Sequence, residues 1–369
     1  MRSVLPNNFL VIPILVLMLF CPACTNNSNQ NKNNNITVEP DYEFDNFFTR
    51  REPGFTGGDG TYSVELPDGR NIWLFGDTFI GPVSENNTRE KTEPKFIRNS
   101  FVLQNKRDFT TLHQGEPSEF KSMIIPPEVA FGSATEEEIW YWPGDGFVLH
   151  DTLHVFVSKF TQTGSGMWDF KFIETALVSF TLPDIREVKH ITIKGTRDLP
   201  IHFGHAVFET SDYIYIYGLG KKGPYVARAT LYSLTEKWEY RGENDWTSNV
   251  EKAAPMREMD GSEQFSIIQL EDKMVYLTQL GSFSKEVYSF ASDTPYGPWS
   301  NGTLIYTTPI PFDNENLITY NTVAHPQFNR DGKLLISYNT NSFVLEDHYT
   351  NAAIYKPRFV RIPIEIILK

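Results

Sequence analysis

The chain has 369 residues and carries 33 Lys+Arg against 46 Asp+Glu, a formal net charge of −13. Cationic groups cluster nowhere along it, so it offers no phosphate-neutralising surface, and nucleic acid is not an expected partner. Aromatic residues make up 14% of the chain, too many for a disordered polymer, and two cysteines cannot frame a disulfide-stapled fold.

The N-terminus reads as an address. Arg2 precedes the apolar run Phe9–Phe20, which is too short to span a bilayer and contains Pro13, as a signal h-region would. The run ends in Cys21-Pro22-Ala23-Cys24, which resembles the lipobox of bacterial lipoproteins, with Cys24 as the lipidated first residue of the mature chain. Ordinary secretion with cleavage nearby is the other reading. Residues 25–35 are almost purely Asn, Ser and Gln and cannot bury anything. Three regions are therefore expected: a lipoprotein signal peptide over 1–23, a flexible tether over 24–38, and a folded domain over 39–369. The mature protein is placed in the cell envelope, on the outer membrane or a periplasmic or extracellular face, and touches the membrane only through its lipid.

Past the tether, short runs of Val, Ile, Tyr, Phe and Thr alternate with Gly, Asp, Asn and Pro breakers, a strand-and-turn pattern. Runs at 71–79, 153–160, 213–218, 274–280 and 334–339 each follow an acidic turn: Asp68-Gly69, His150-Asp151, Ser211-Asp212, Glu271-Asp272 and Asp331-Gly332. Such turns close tight hairpins because Gly, Asp and Asn tolerate positive φ. A third strand is expected in each unit, at 100–104, 175–180, 225–231, 286–291 and 358–363. A fourth is suggested near Trp238-Glu239-Tyr240 and Pro298-Trp299-Ser300.

Ahead of each turn stands a polar residue: Asp59, Asp145, His205, Glu263 and His325. After a longer first interval they recur every ~60 residues, a period that suits one supersecondary unit. Four-stranded antiparallel units repeated about an axis make a β-propeller. The expected fold is all-β, a five-bladed β-propeller whose last outer strand is supplied by residues 36–48. A two-sheet sandwich is the alternative, but it does not call for regularly recurring acidic turns. In a propeller these five residues would start innermost strands and converge on one mouth, although an Asp beside Gly is on its own usually a turn former.

Gly57-Gly58-Asp59-Gly60 followed by Trp73-Leu74-Phe75-Gly76-Asp77-Thr78 resembles a signature of secreted bacterial domains of unknown function. Those domains are five-bladed propellers related to glycoside hydrolases, and one related group cleaves D-arabinan internally. Tyr217-Gly218, Gly297-Pro298-Trp299-Ser300, Ala324-His325-Pro326 and Ile336-Ser337-Tyr338-Asn339 resemble the later blades, so the likeness spans residues 42–363. The resemblance implies a lipid-anchored hydrolase acting on an extracellular polysaccharide, with arabinan-type substrates included.

Glycosidic hydrolysis usually needs two carboxyl groups, one protonated and one ionised, and neighbouring acids in one mouth push their pKa values apart. Asp59, Asp77 and Glu263 are the catalytic candidates, with Asp59 as nucleophile or base and Asp77 or Glu263 as acid. For Asp77 a turn or strand-end role is the competing reading. His205 and His325 are expected to contact substrate or orient a carboxylate, with Asp145 beside them, and holding a metal at the channel centre is the other reading of the two histidines; His202 reads as a rim residue. Trp142 and Trp168 are the sugar-stacking candidates, whereas Trp73 and Trp238 suit blade packing. No cofactor or metal is required, although calcium, which takes oxygen ligands, stays open as an occupant of the channel. The partner is an oligo- or polysaccharide and the chain a monomer. A non-catalytic glycan-binding propeller would keep the aromatics without needing opposed acids, and a periplasmic scaffold would need neither.

Overall fold

The computed structural model describes residues 37–91, 95–116, 119–193, 195–197, 199–256 and 261–369. The expectations for residues 1–23, for Cys24 and for the tether up to residue 36 lie outside the described residues. Residues 37–369 form one compact unit, and Val38, expected in the tether, already packs on a core cluster.

The unit is all-β with four short α-helices among the described residues, none of them long and apolar enough to cross a membrane. Five antiparallel sheets follow one another in the chain, four with four strands and one with five. Their strands run in sequence order, except that sheet V takes its outer strand from the N-terminal Glu39–Pro40. Sheet I starts at Tyr62–Glu65, sheet II at Ile139–Leu149, sheet III at Ile201–Glu209, sheet IV at Ser266–Leu270 and sheet V at Leu317–Arg330. These first strands touch in cyclic order, I with II, II with III, III with IV, IV with V, and V with I.

The expected second strands are present as Asn71–Phe75, Thr152–Gln162, Tyr213–Gly220, Lys273–Gln279 and Lys333–Ser342. Alternation along them explains the packing. On Tyr213–Gly220, Ile214 and Ile216 point into a cluster shared with sheet II, while Tyr215 and Tyr217 point into one shared with sheet IV. Each of the five apolar clusters lies between two successive sheets, the last joining sheet V to sheet I through Leu335, Phe359, Trp73 and Phe75. Trp73 and Trp238 are both buried there, as packing residues.

Three expectations about strands need correction. The fourth strand of sheet IV is Thr303–Thr307 rather than the stretch around Trp299, which is irregular and follows a cis Gly297-Pro298 peptide. The N-terminal contribution to sheet V is only Glu39–Pro40, paired with Lys356–Pro363, before the chain turns into the helix Tyr42–Phe47. The predicted run 71–79 breaks at Gly76-Asp77. There the chain leaves sheet I and, as Thr78–Ile80, joins a small sheet with Phe55–Gly58 and Lys95–Ile97.

The N-terminal segment is tied to the C-terminal one by a buried ion pair. Asp41 Oδ1 accepts from Phe44 N at 3.1 Å and caps the helix, while Arg361 Nε donates to Asp41 Oδ2 at 2.6 Å. The two residues are 5% and 4% exposed, so removing the carboxylate strands a guanidinium in the interior. Asp41→Ala should cost about 3–5 kcal/mol in denaturant unfolding. A loss under ~1 kcal/mol, the range of exposed pairs, would show that the tie is dispensable.

Candidate active site

A cavity of about 790 Å³ opens where the first strands meet, lined by residues on or flanking the strands of all five sheets. Asp59 and Asp77 come from the sheet I side, Trp142 and Ser158 from sheet II, and His202 and His205 from sheet III. Glu263 precedes the first strand of sheet IV, and Tyr320 and Asn341 come from sheet V.

Asp59 and Asp77 sit at facing breaks in one hairpin. Phe55–Gly58 stops just before Asp59 and Tyr62–Glu65 resumes after it, while Asn71–Phe75 and Thr78–Ile80 flank Asp77. Gly76 N donates to Asp59 O at 2.8 Å and Asp59 N to Asp77 O at 3.4 Å, so the backbone holds the two breaks together. Gly76 has no room for a side chain: an added Cβ would lie 2.8 Å from Asp59 Oδ1. Asn339 Nδ2 reaches across from sheet V to Thr61 Oγ1 at 2.9 Å and Gly58 O at 3.3 Å, pinning both sides of the Asp59 bend.

The carboxyls themselves are unequal. Trp142 Nε1 donates to Asp77 Oδ1 at 2.9 Å and Arg98 Nη1 lies 3.4 Å from Oδ2, so both oxygens face donors. Burial raises the Asp77 pKa, and Arg98 and Trp142 oppose the rise. Asp59 has no cation beside it. Tyr320 Oη donates to its Oδ2, and Tyr355 Oη donates at 3.2 Å to the backbone carbonyl of Asp77. Burial, and after it the nearby Asp77 charge, push Asp59 up to about 7 against the lowering effect of the two tyrosines. A polar chain continues outward: Asn341 Nδ2 donates to Tyr320 Oη at 2.8 Å, and His348 Nε2 lies 2.7 Å from Asn341 Oδ1.

Glu263 is the opposite case. Its Oε2 lies 2.9 Å from His202 Nδ1 and 3.1 Å from His205 Nε2. Burial acts to raise this carboxyl, but His202 and His205 together hold it well below the usual range. Its side chain is 59% exposed, to cavity solvent, which also keeps the charged form hydrated. His205 is pushed down to about 4 by burial and by His202 and is neutral at neutral pH.

The cavity thus brings together Asp59, Asp77, Glu263, His205, Trp142 and Trp168. Trp168 stands at the rim, 46% exposed, with Phe283 at 6.1 Å and Phe343 at 6.0 Å between ring centroids. Asp145 and His325, expected to bind substrate, stand apart. Asp145 is turned to the other side by a bulge between Pro143 and Gly146 and accepts from Val207 N at 2.9 Å, tying sheet II to sheet III. It lines a separate cavity of about 220 Å³, where burial pushes its pKa up to about 7 against backbone bonds from Val207 and Gly146. His325 is fully buried between Ser63 Oγ at 2.6 Å and Ser337 Oγ at 2.8 Å, with its ring 4.9 Å from Trp73, and burial alone pushes it down to about 3. It joins sheet V to sheet I.

Several site residues escaped the sequence reading: Tyr320, Tyr355, Arg98, Asn341 and, above all, His202. Residues three apart on a regular strand face opposite ways, but the bulge between Phe203 and Ala206, with Gly204 at φ +103°, turns His202 and His205 to one side. The Gly204 between them was the one available signal.

The family described as a domain of unknown function (DUF5005) matches residues 41–363. The chain belongs to this family. Among curated proteins none matches the sequence. A crystallised protein of Bacteroides ovatus, provisionally described as a hydrolase, aligns with a TM-score of 0.76 and 23% identity, over 88% of this chain and 89% of its own, and shares the fold. Two weaker likenesses are a family GH62 α-L-arabinofuranosidase catalytic domain from Coprinopsis cinerea and a family GH32 β-fructofuranosidase from Bombyx mori. The first has TM-score 0.47 and 10% identity over 83% of this chain and 91% of that one. The second has 0.48 and 13% over 88% and 65%.

The Asp59 environment sets a pH dependence. Its folded pKa of about 7 lies above the unfolded value of ~3.9, so between these the folded chain keeps a proton that the unfolded chain has lost. This group's stabilising share is therefore full below pH ~4 and lost as pH rises through about 7. Asp59→Asn cannot titrate, so the variant's stability relative to the parent should rise from pH 5 to pH 8 in parallel denaturant unfolding. A difference that stays flat over that range would contradict the assignment.

Proposed function

We propose that the protein is a glycoside hydrolase that cuts an extracellular polysaccharide in this cavity, with arabinan-type polymers the first to try. The observation that carries the reading is the Asp59–Asp77 pair: two acids at facing breaks, one pushed up to about 7 and the other backed by Arg98 and Trp142. Such a pair holds one proton at neutral pH, and the arginine keeps the negative charge on Asp77. Asp59 is then the general acid and Asp77 the ionised nucleophile or base, the reverse of the roles the sequence alone had suggested for the two. Glu263, paired with two histidines, stands in the same cavity as a third carboxylate.

The aromatic wall suits the same substrate. Trp142 lines the floor beside Asp77, and Trp168, Phe283 and Phe343 form an exposed apolar platform at the rim, where flat sugar faces can stack. The architecture we assign is a five-bladed propeller; the cyclic contacts of five first strands and the five intervening cores support it. In the same reading Cys24 anchors a monomeric mature chain by lipid in the cell envelope, with the propeller over residues 39–369, and the lipobox-like sequence supports that placement.

Incubation with a panel of polysaccharides, arabinans included, followed by assay of new reducing ends, tests the reading. Asp59→Asn and Asp77→Asn should each lower turnover by ~10²–10⁴-fold, the usual worth of general acid–base catalysis. Trp168→Ala should raise KM by more than it lowers kcat, because it touches substrate away from the bond that breaks. Full activity in both amide variants would overturn the assignment. Binding of glycans without any cleavage by the parent would make this a binding module instead.

A further inference from the structure

We propose that His202, His205 and Glu263 form a binding site for a divalent first-row transition ion, zinc above all, with open coordination positions facing the cavity. The donor atoms His202 Nδ1, His205 Nε2 and a Glu263 carboxylate oxygen all lie within 4.8 Å of one another. The imidazole nitrogens are 2.9 and 3.1 Å from the same oxygen, Glu263 Oε2. Around a tetrahedral zinc with ligand distances of ~2.0–2.1 Å, neighbouring donors are separated by roughly 3.3 Å, so the existing spacings need little adjustment.

A second observation points the same way. His205 is 5% exposed, and its Nε2 has no hydrogen-bond partner although Glu263 Oε2 is 3.1 Å away. A buried polar nitrogen that makes no well-formed hydrogen bond carries a cost, and this one stands close enough to the carboxylate to share a ligand with it. An ion between the three side chains satisfies that nitrogen and neutralises Glu263 at once.

The surroundings hold the donors in place. His202 Nε2 is hydrogen-bonded to Ser158 Oγ, so its ring orientation is fixed and Nδ1 is the atom presented to Glu263. Phe172 packs on His202 at 4.2 Å between centroids, and Phe265 lies 5.7 Å from His205. Outer hydrogen bonds and apolar packing of this kind orient metal-binding imidazoles. Two imidazoles and one carboxylate suit zinc and its neighbours, whereas calcium prefers six to eight oxygens. Three protein donors with cavity solvent beyond them leave positions free for oxygens of a bound ligand.

The test needs no substrate and so fails separately from the hydrolase reading. Tag-free protein, stripped with chelator, is equilibrated by dialysis against zinc chloride and its metal content measured. Close to one zinc per chain is expected, with calcium failing to compete. His202→Ala and Glu263→Gln should each weaken binding beyond the roughly 10–100-fold that even an outer-shell change costs, while His113→Ala, outside the cavity, should not. Cobalt(II) added to the unmutated chain should give the intense visible bands of a four- or five-coordinate ion, which covers the case of a variant that does not fold. No bound zinc, or zinc retained equally by both ligand variants, would overturn the proposal.

Discussion

Two neighbouring carboxyls, both largely withdrawn from solvent, cannot both be charged cheaply, and that is the constraint on which the rest of this site depends. Asp59 and Asp77 are brought together by a hairpin whose two strands break at the same level, and the breaks are locked by mutual backbone hydrogen bonds. Charging both acids there is unfavourable, so the surroundings must choose. Arg98 and Trp142 stand on Asp77, while Asp59 meets only hydroxyl donors. The inequality comes from neighbours supplied by different sheets, and the fold's main task is to deliver them to one point.

Delivery is achieved by breaking the strands that line the cavity. The first strands of sheets II, III and V carry bulges at Pro143–Gly146, Phe203–Ala206 and Tyr320–Val323, next to Trp142, His202 and Tyr320. Each bulge changes which residues face the mouth. Residues before it, or within it in the case of His205, look into the large cavity. Asp145, within the sheet II bulge, looks into the small one instead, where it ties sheet II to sheet III through Val207. Polar residues spaced alike in the chain thus divide into cavity groups and ties between sheets.

That division explains what was legible in the sequence. Strand positions were, because acidic turns and β-branched runs are local signals: three of the five expected second strands lie within the observed ones, a fourth overruns by Leu280 alone, and the fifth breaks at Gly76-Asp77. Asp59, Asp77 and Glu263 were legible as cavity acids because glycines and turn residues surround them. Asp145 and His325 were misplaced because counting along a regular strand cannot see a bulge or a buried hydrogen-bond pair such as Ser63 and Ser337. Tyr320, Arg98 and Asn341 carry no local signature at all; only tertiary packing gives them a partner. His202 was legible only together with the left-handed Gly204.

The claim at the centre of this account is that Asp59 keeps its proton near neutral pH while Asp77 is ionised. Carboxyl-carbon NMR of protein labelled with ¹³C in aspartate, assigned with Asp59→Asn and Asp77→Asn and followed from pH 3 to pH 9, measures this directly. The account predicts that the Asp59 resonance moves with a midpoint of about 7, and that Asp77 completes its main titration at lower pH. Titration of both groups below about pH 4.5, as for ordinary solvated carboxyls, would contradict it.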